Sequence, residues 1–321
     1  AVSGRNGEWS AKKIGRDRKE RGLEEVRQRR TYQAIREYHE EVGFPIETAC
    51  KLLHVSRSAY HKWAAGTSSR RAAENERLAE KIEKIHAEYP DKGYRRLNDD
   101  LRHDYDIHVN DKRVLRICRA RDIRSTVKYS NHGCTRRARN PQYLAENLLD
   151  RQFYVERTNE KWLTDVTEFK WYEKTDVQKV YLSAILDLYD RRIVAYVLGD
   201  RNDNPLVFKT FDKAVKANPD AHPLFHSDRG FQYTNRIFHQ KLVQAGMTQS
   251  MSRVAHCIDN GPMEGFWGIL KRECYYGRRF TSKKELVQTI QHYIHYYNTR
   301  RVQRNLGVLT PMEKHKLFFA A

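Results

Sequence analysis

The 321-residue chain contains no apolar run approaching the roughly 18–20 residues of a membrane-spanning helix. That argues against a helical membrane protein. The opening Ala1-Val-Ser-Gly-Arg lacks the apolar core of a signal peptide. It also lacks an initiator Met, so the reading expects further natural chain upstream of Ala1. No Cys-x-x-Cys pair occurs among the five cysteines, Cys50, Cys118, Cys134, Cys257 and Cys274. Their odd number and wide spacing argue against a structural zinc site and fit reduced thiols in a cytosolic protein. Acidic residues are in short supply: 41 Asp and Glu face 60 Lys and Arg, a formal net charge of +19. An acidic partner follows, nucleic acid first and an anionic membrane a distant second. With 39% hydrophobic and 31% charged residues, a sizeable core fits inside a polar exterior, in two or more domains.

Residues 1–30 read as a basic arm or the end of a charged helix. From Arg30 to Val42 the pattern is one helix. Pro45 opens a second, with apolar positions 46, 49, 50, 52 and 53. A turn at His54-Val55 leads to Ser56, a good N-cap, and a third helix carrying Arg57, Ser58, His61 and Lys62. This is a helix-turn-helix pattern, with Arg57 and Lys62 as candidate DNA contacts; the bland alternative is a helical hairpin that only packs. Residues 66–72 read as a linker. A helix from about 73 to 88 has Leu78, Ile82 and Ile85 on one stripe. The helix opened by Tyr94 presents Arg95 and Arg96. Asn110 can cap a further helix with Lys112, Arg113 and Arg116 on or near one exposed face. Between 111 and 140 there are ten Lys and Arg but two Asp and Glu. Tyr129, His132 and Arg136-Arg137 sit in an apparent loop there, which suits a segment laid along phosphates better than a merely solvated face.

Residues 141–152 read as a connecting helix, after which the periodicity changes. Trp162–Tyr172 alternates, Val180–Tyr189 is apolar on both faces, and Arg192–Leu198 forms a third run; short polar links make them an antiparallel meander. A helix (204–218), a strand (Pro223–Asp228), a helix (234–245) and a strand (Thr248–Ser252) follow. Helices from Pro262 to about Tyr275 and from Ser282 to Asn298 close the pattern. This order predicts an α/β domain: a mixed five-stranded sheet with flanking helices, preceded by small all-α modules.

Three carboxylates occupy informative places. Asp165 lies mid-strand on the face of Leu163, Phe169 and Trp171, costly without a cation or partner. Asp228 sits where a strand gives way to a loop, a position favoured for ligands. Glu264 opens a helix, with thirty-five residues between it and Asp228. Carboxylates supply the oxygen ligands that hard cations such as Mg²⁺ take. Lys271, two helical turns beyond Glu264, shares its face and would reach neighbouring DNA. Asp176, Asp187, Asp190, Asp200, Asp259 and Glu273 are rivals that could equally cap helices or form ion pairs, Asp187 being the strongest.

The phrases around these acids carry a resemblance. They are Lys92-Gly-Tyr-Arg-Arg, Trp162-Leu-Thr-Asp-Val-Thr, Leu186-Asp-Leu-Tyr-Asp-Arg-Arg-Ile-Val, His226-Ser-Asp-Arg-Gly, Asp259-Asn-Gly-Pro-Met-Glu-Gly-Phe-Trp-Gly-Ile-Leu-Lys-Arg-Glu and Tyr296-Tyr-Asn-Thr-Arg-Arg-Val-Gln-Arg-Asn-Leu-Gly-Val-Leu-Thr-Pro. Over residues 30–316 the chain resembles the OrfB-type DDE transposases of the insertion sequence 3 family, relatives of retroviral integrases. The thirty-five-residue gap is the family's own spacing. The resemblance implies a ribonuclease H-like catalytic domain with a C-terminal helix over 141–316. It would follow a helix-turn-helix module (31–65) and a second helical DNA-binding module with a basic linker (66–140), and leave 317–321 as a tail. It makes Asp165, Asp228 and Glu264 the metal-binding catalytic triad for two Mg²⁺ ions, with Mn²⁺ as a substitute. Lys271 matches the basic residue that contacts transposon-end DNA. The implied partners are double-stranded terminal inverted repeats and target DNA, bridged by a homodimer in the bacterial cytoplasm, at the nucleoid.

The family often has Ala where this chain has Gly261, and Ser and Phe at Gly265 and Trp267. These departures look tolerable because none is expected to touch a carboxylate. The family's upstream helix-turn-helix and leucine zipper are absent here, unless 1–30 is their tail. Two other functions compete: a catalytically silent DNA-binding regulator, and a metal-dependent nuclease that cuts without joining. The Tyr293–Arg301 segment either contacts DNA or a partner subunit, or packs its tyrosines on the sheet. Salt titrations separate the roles of the basic residues. Replacing a phosphate-contacting Lys or Arg is expected to lower the salt slope of DNA binding by about one; replacing a base reader is expected to relax sequence preference by about 1–3 kcal/mol.

Overall fold

The computed structural model describes residues 28, 30–66, 70–127, 142–253 and 257–320. Of the expected arm at 1–30, all but Gln28 and Arg30 lie outside the described residues, as does the basic loop with Tyr129, His132, Arg136 and Arg137.

The chain divides into two compact units, Ala1–Arg77 and Leu78–Ala321. In the first, a helix over 30–42 (α1) precedes α2 (Ile46–Leu52) and α3 (Arg57–Ala64). Tyr32, Ile35, Ala49, Cys50 and Tyr60 form their shared core. His54, at a φ of 53°, turns the chain between α2 and α3. Ser56 stands at the N-cap of α3 without capping it. Its hydroxyl is engaged by the Ser58 hydroxyl at 2.8 Å, a local bond that competes with the cap.

In the second unit, the part of α4 (Arg70–Glu88) from Leu78 onward contributes Leu78, Ile82 and Ile85 to a cluster with Leu97 and Leu101 of α5 (Tyr94–Tyr105) and Val114 and Ile117 of α6 (Asp111–Ala120). Asn110 caps α6, its side-chain oxygen accepting from Lys112 N at 2.8 Å. The sheet follows: β1 (Lys161–Glu173), β2 (Asp176–Asp187), β3 (Ile193–Gly199), β4 (Leu224–Ser227) and β5 (Thr248–Met251), in the spatial order β3-β2-β1-β4-β5. The β1-β2-β3 meander is antiparallel, whereas β4 pairs in parallel with both β1 and β5. Strand alternation sends Trp162 and Leu163 to opposite faces. Trp162 joins Phe211, Phe225 and Phe238 under α7 (Asn204–Ala217) and α8 (Arg236–Gln244). Leu163 joins Met263, Phe266 and Ile294 under α9 (Gly261–Leu270) and α10 (Lys283–Thr299). Tyr293 and Tyr297 are buried in that second layer, so these tyrosines pack rather than face solvent. Among the described residues, no helix is long and apolar enough to cross a membrane.

Two segments differ from the sequence reading. Residues 142–152 form no helix but a strap along β5. Glu146 O accepts from Met251 N at 3.1 Å, and Ser250 Oγ accepts from Leu149 N at 3.1 Å. Left-handed backbone at Asp150 and Arg151 stops any helix there. Conversely, the expected tail is helical as far as Ala320, within α11 (Pro311–Ala320). Thr310 and Glu313 form a reciprocal capping box: Thr310 Oγ1 accepts from Glu313 N at 3.2 Å, and Glu313 Oε2 from Thr310 N at 2.8 Å.

α9 runs on into a π turn (Lys271–Tyr275) that carries Glu273 into a buried charge network. Glu273 accepts from Arg301 Nη2 at 2.8 Å and from the Tyr293 hydroxyl at 2.8 Å, and pairs with Arg96 at 2.9 Å. Arg304 likewise binds Asp99 at 2.6 Å and Asp111 at 2.8 Å, joining α5 and α6 to the segment between α10 and α11. Glu273→Ala leaves two guanidinium groups without their shared counter-charge. It is expected to cost about 3–5 kcal/mol, read from the urea midpoint of the full chain.

Candidate active site

The parallel register of β1 and β4 sets Leu163 opposite His226. Two residues further along each chain stand Asp165 and Asp228, the latter just past the end of β4. Neighbouring strands lie about 4.8 Å apart, so the two aspartates come together on the face covered by α9. Glu264 lies in the first turn of that helix, which Pro262 opens. The start of α9 is clamped to β1 by Asn260 Nδ2, which donates to Thr164 O at 3.1 Å. Just before it, the fully buried Asp259 accepts from Arg151 Nε at 2.8 Å, Arg253 Nε at 3.1 Å and Asn147 Nδ2 at 3.0 Å. Sequence reasoning leaves Asp259 as a spare acid; the structure makes it the anchor of the loop that delivers Glu264.

Each aspartate is held by short donors. Asp165 Oδ1 accepts from Val166 N at 2.7 Å and Oδ2 from Trp267 Nε1 at 3.0 Å. Asp228 Oδ1 accepts from Gly230 N at 2.9 Å. A Cβ at position 230 would stand 3.0 Å from that same oxygen, which explains the glycine. Trp267 corrects the expectation that no departure from the family pattern touches a carboxylate. It follows Glu264 by three residues on α9, so both project to one side of the helix.

Burial, and then the neighbouring Asp228 and Glu264, push the Asp165 carboxyl up to about 8. Burial also raises Asp228, and burial with the Asp228 charge raises Glu264. Among the described residues, none of the three forms an ion pair with a basic side chain. Nor do three His, Cys, Asp or Glu side chains there already close around one metal position. The donor set nonetheless fits a hard cation: the three carboxyls supply oxygen donors, Asp165 feels the charge of both others, and among the described residues no ammonium or guanidinium pairs with them. Beside them His226 is buried between Ser250 Oγ at 2.9 Å and Ser252 Oγ at 3.1 Å, and burial lowers its pKa to about 4, which keeps the ring neutral.

The rivals have other occupations. Asp187 is fully buried at the end of β2, accepting from Asn159 N at 2.7 Å and Tyr189 N at 2.8 Å. Asp190 binds His315 at 2.7 Å and Arg192 at 3.3 Å. Asp200 pairs with Lys283, and Glu273 with Arg301 and Arg96. Asp176 is exposed at the start of β2.

The basic candidates do not form one cluster. Lys271 opens the π turn with its ammonium 5.3 Å from the Phe169 ring. Lys112 and Arg116 are exposed one turn apart on α6, with Arg113 partly buried beside them. Arg95 is exposed, its guanidinium 5.3 Å from the Tyr94 ring. Arg96 is instead committed to Asp91 at 2.8 Å, Glu273 and the Tyr296 hydroxyl. In the first unit, Arg57 and Lys62 are exposed on α3, Arg57 in contact with Glu47 at 3.2 Å.

The raised Asp165 pKa has a defined sign. The folded state holds this proton more tightly than the unfolded chain, whose ordinary value is 3.8. Its effect on stability is nil below about pH 4 and grows more unfavourable as pH rises toward 8. Thermal melting in EDTA is expected to fall across that window, and Asp165→Asn to flatten the slope.

Comparison with known proteins agrees with this architecture. A family model described as an integrase core domain matches residues 155–257, and a second so described matches 264–316. An HTH-like domain matches 73–130. The chain is 35% identical over 273 residues to the putative transposase InsK for insertion sequence element IS150 of Escherichia coli K12, covering 84% of this chain and 93% of that one. It is 28% identical over 284 residues to the transposase InsF for insertion sequence IS3A of the same bacterium, covering 84% and 94%. Among solved structures, the HTLV-2 integrase catalytic core domain in complex with magnesium is similar with a TM-score of 0.37 and 17% identity, over 49% of this chain and 97% of that one. With an integrase core preceded by an HTH-like domain, and with 35% identity to InsK over 84% of its length, the chain belongs to the DDE transposases of the insertion sequence 3 family.

Proposed function

We propose that this transposase binds the terminal inverted repeats of its element and performs metal-dependent strand cleavage and strand transfer at Asp165, Asp228 and Glu264. The observation that carries the reading is the convergence of three carboxylates with no cationic partner among the described residues. These side chains would hold two Mg²⁺ ions, or Mn²⁺, which when bound supply Lewis acidity to both the attacking and the departing oxygen. The protein's own part is positioning. Asn260 fixes the pitch of α9, Gly230 N and Val166 N orient the two aspartates, and the buried layer beneath them limits water.

The reaction has two chemically similar steps. Water attacks the phosphodiester at the element's end and releases a 3′-hydroxyl. That hydroxyl attacks a second phosphodiester in line, forming the new P–O bond as the old one breaks, with no covalent enzyme intermediate. On the DNA side, Lys271 serves the transposon end, Lys112, Arg113 and Arg116 serve α6, Arg95 serves α5, and Arg57 and Lys62 serve α3. Arg136 and Arg137 join this set on charge alone. Arg96 leaves it, because its guanidinium is already bound to Glu273 and Asp91. A homodimer bridging two ends and a nucleoid location in the cytoplasm belong to the same reading.

Strand-transfer assays with labelled terminal repeats in Mg²⁺ test it. Asp228→Asn is expected to lower cleavage and joining together, by at least roughly 100-fold. Cleavage at the wild-type rate in that variant overturns the mechanism, and cleavage without joining in the wild-type protein turns it into a nuclease.

A further inference from the structure

Two of the three donors to the site's aspartates come from backbone beside the acid itself, Val166 N and Gly230 N. The third, the indole of Trp267, arrives from a different element. An indole nitrogen only donates, so the direction of its 3.0 Å bond to Asp165 Oδ2 is fixed. The ring is 7% exposed and leans against Phe266 at a centroid distance of 5.1 Å, so its rotamer is set by packing. A phenylalanine would fill much of that space but leave Oδ2 without its donor. The packing of α9 therefore does not by itself require an indole.

We propose that Trp267 is a positioning residue for Asp165, orienting its carboxylate so that each oxygen accepts one protein hydrogen bond and keeps a lone pair for a divalent cation. This rests on the reading of Asp165, Asp228 and Glu264 as metal ligands. One helix then does two things: Glu264 contributes a carboxylate, and three residues later Trp267 aligns the carboxylate on β1 that it must match. A shift of α9 along β1 would disturb both together.

The test is Mn²⁺ binding to the full chain without DNA, followed by the electron paramagnetic resonance of free Mn²⁺. Wild type, Trp267→Phe and Asp165→Asn are compared, with thermal melting in EDTA reporting structural damage. Trp267→Phe is expected to weaken binding about 10-fold while its melting stays near wild type, since hydrogen-bond partners of metal ligands typically contribute that much affinity. Unchanged Mn²⁺ affinity in Trp267→Phe, with binding lost in Asp165→Asn, overturns the role of Trp267 and leaves the metal site standing. Wild-type affinity in Asp165→Asn overturns the site itself. Where Trp267→Phe does not fold, benzothienylalanine at position 267, which replaces the N–H by sulfur at nearly constant shape, decides by the same readout.

Discussion

Three carboxylates are gathered where nothing positive among the described residues answers them, and much of the second unit is arranged to hold them there. A cluster of like charges at the edge of a core is unfavourable, so it persists only if its surroundings over-determine it. The over-determination is visible on each side. Asp165 is carried by the long central strand β1 and Asp228 by a β4 paired on both edges. Glu264 follows a loop locked by Asp259 and its two arginines. The site is thus poised for a cation through protein bonds placed around it.

The same helix shows the opposite solution nine residues later. Glu273 is as deeply placed as any acid of the site, yet Arg301, Arg96 and Tyr293 converge on it, and they hold its carboxyl below the usual range despite burial. Compensation makes Glu273 a structural joint, whereas its absence is what the proposed role of Glu264 requires. Distinguishing the two requires the partner charges, which come from α5, α10 and the segment after α10.

That difference also explains what could be read from the residues alone. The five strands are legible as alternating, doubly apolar or β-favouring runs, and the three acids stand out through their local phrases. Their supports are far less visible. Asn260, Gly230 and Trp267 act through the β1–β4 register and the seating of α9, both long-range properties that no window of sequence contains. Ser56 looks like a cap until Ser58 takes its hydroxyl. The strap at 142–152 has a helix-like composition, but its backbone bonds belong to β5 and the Thr234 region. By contrast, the capping box at Thr310 and Glu313 is a purely local signal that could have announced α11, yet residues 317–321 read as a tail from the sequence.

The strap has a consequence for how this sheet meets other molecules. It occupies the outer side of β5 with Glu146 O on Met251 N and Leu149 N on Ser250 Oγ. At the far side, Asn298 takes both backbone groups of Ile193, and Lys213 reaches Tyr196 O on β3. Part of each margin is thus engaged. Such cover hinders growth by strand addition, the route by which open edges aggregate. A second copy of the protein that engaged helices or loops instead would leave Asp165 and Asp228 open to the DNA of the proposed function.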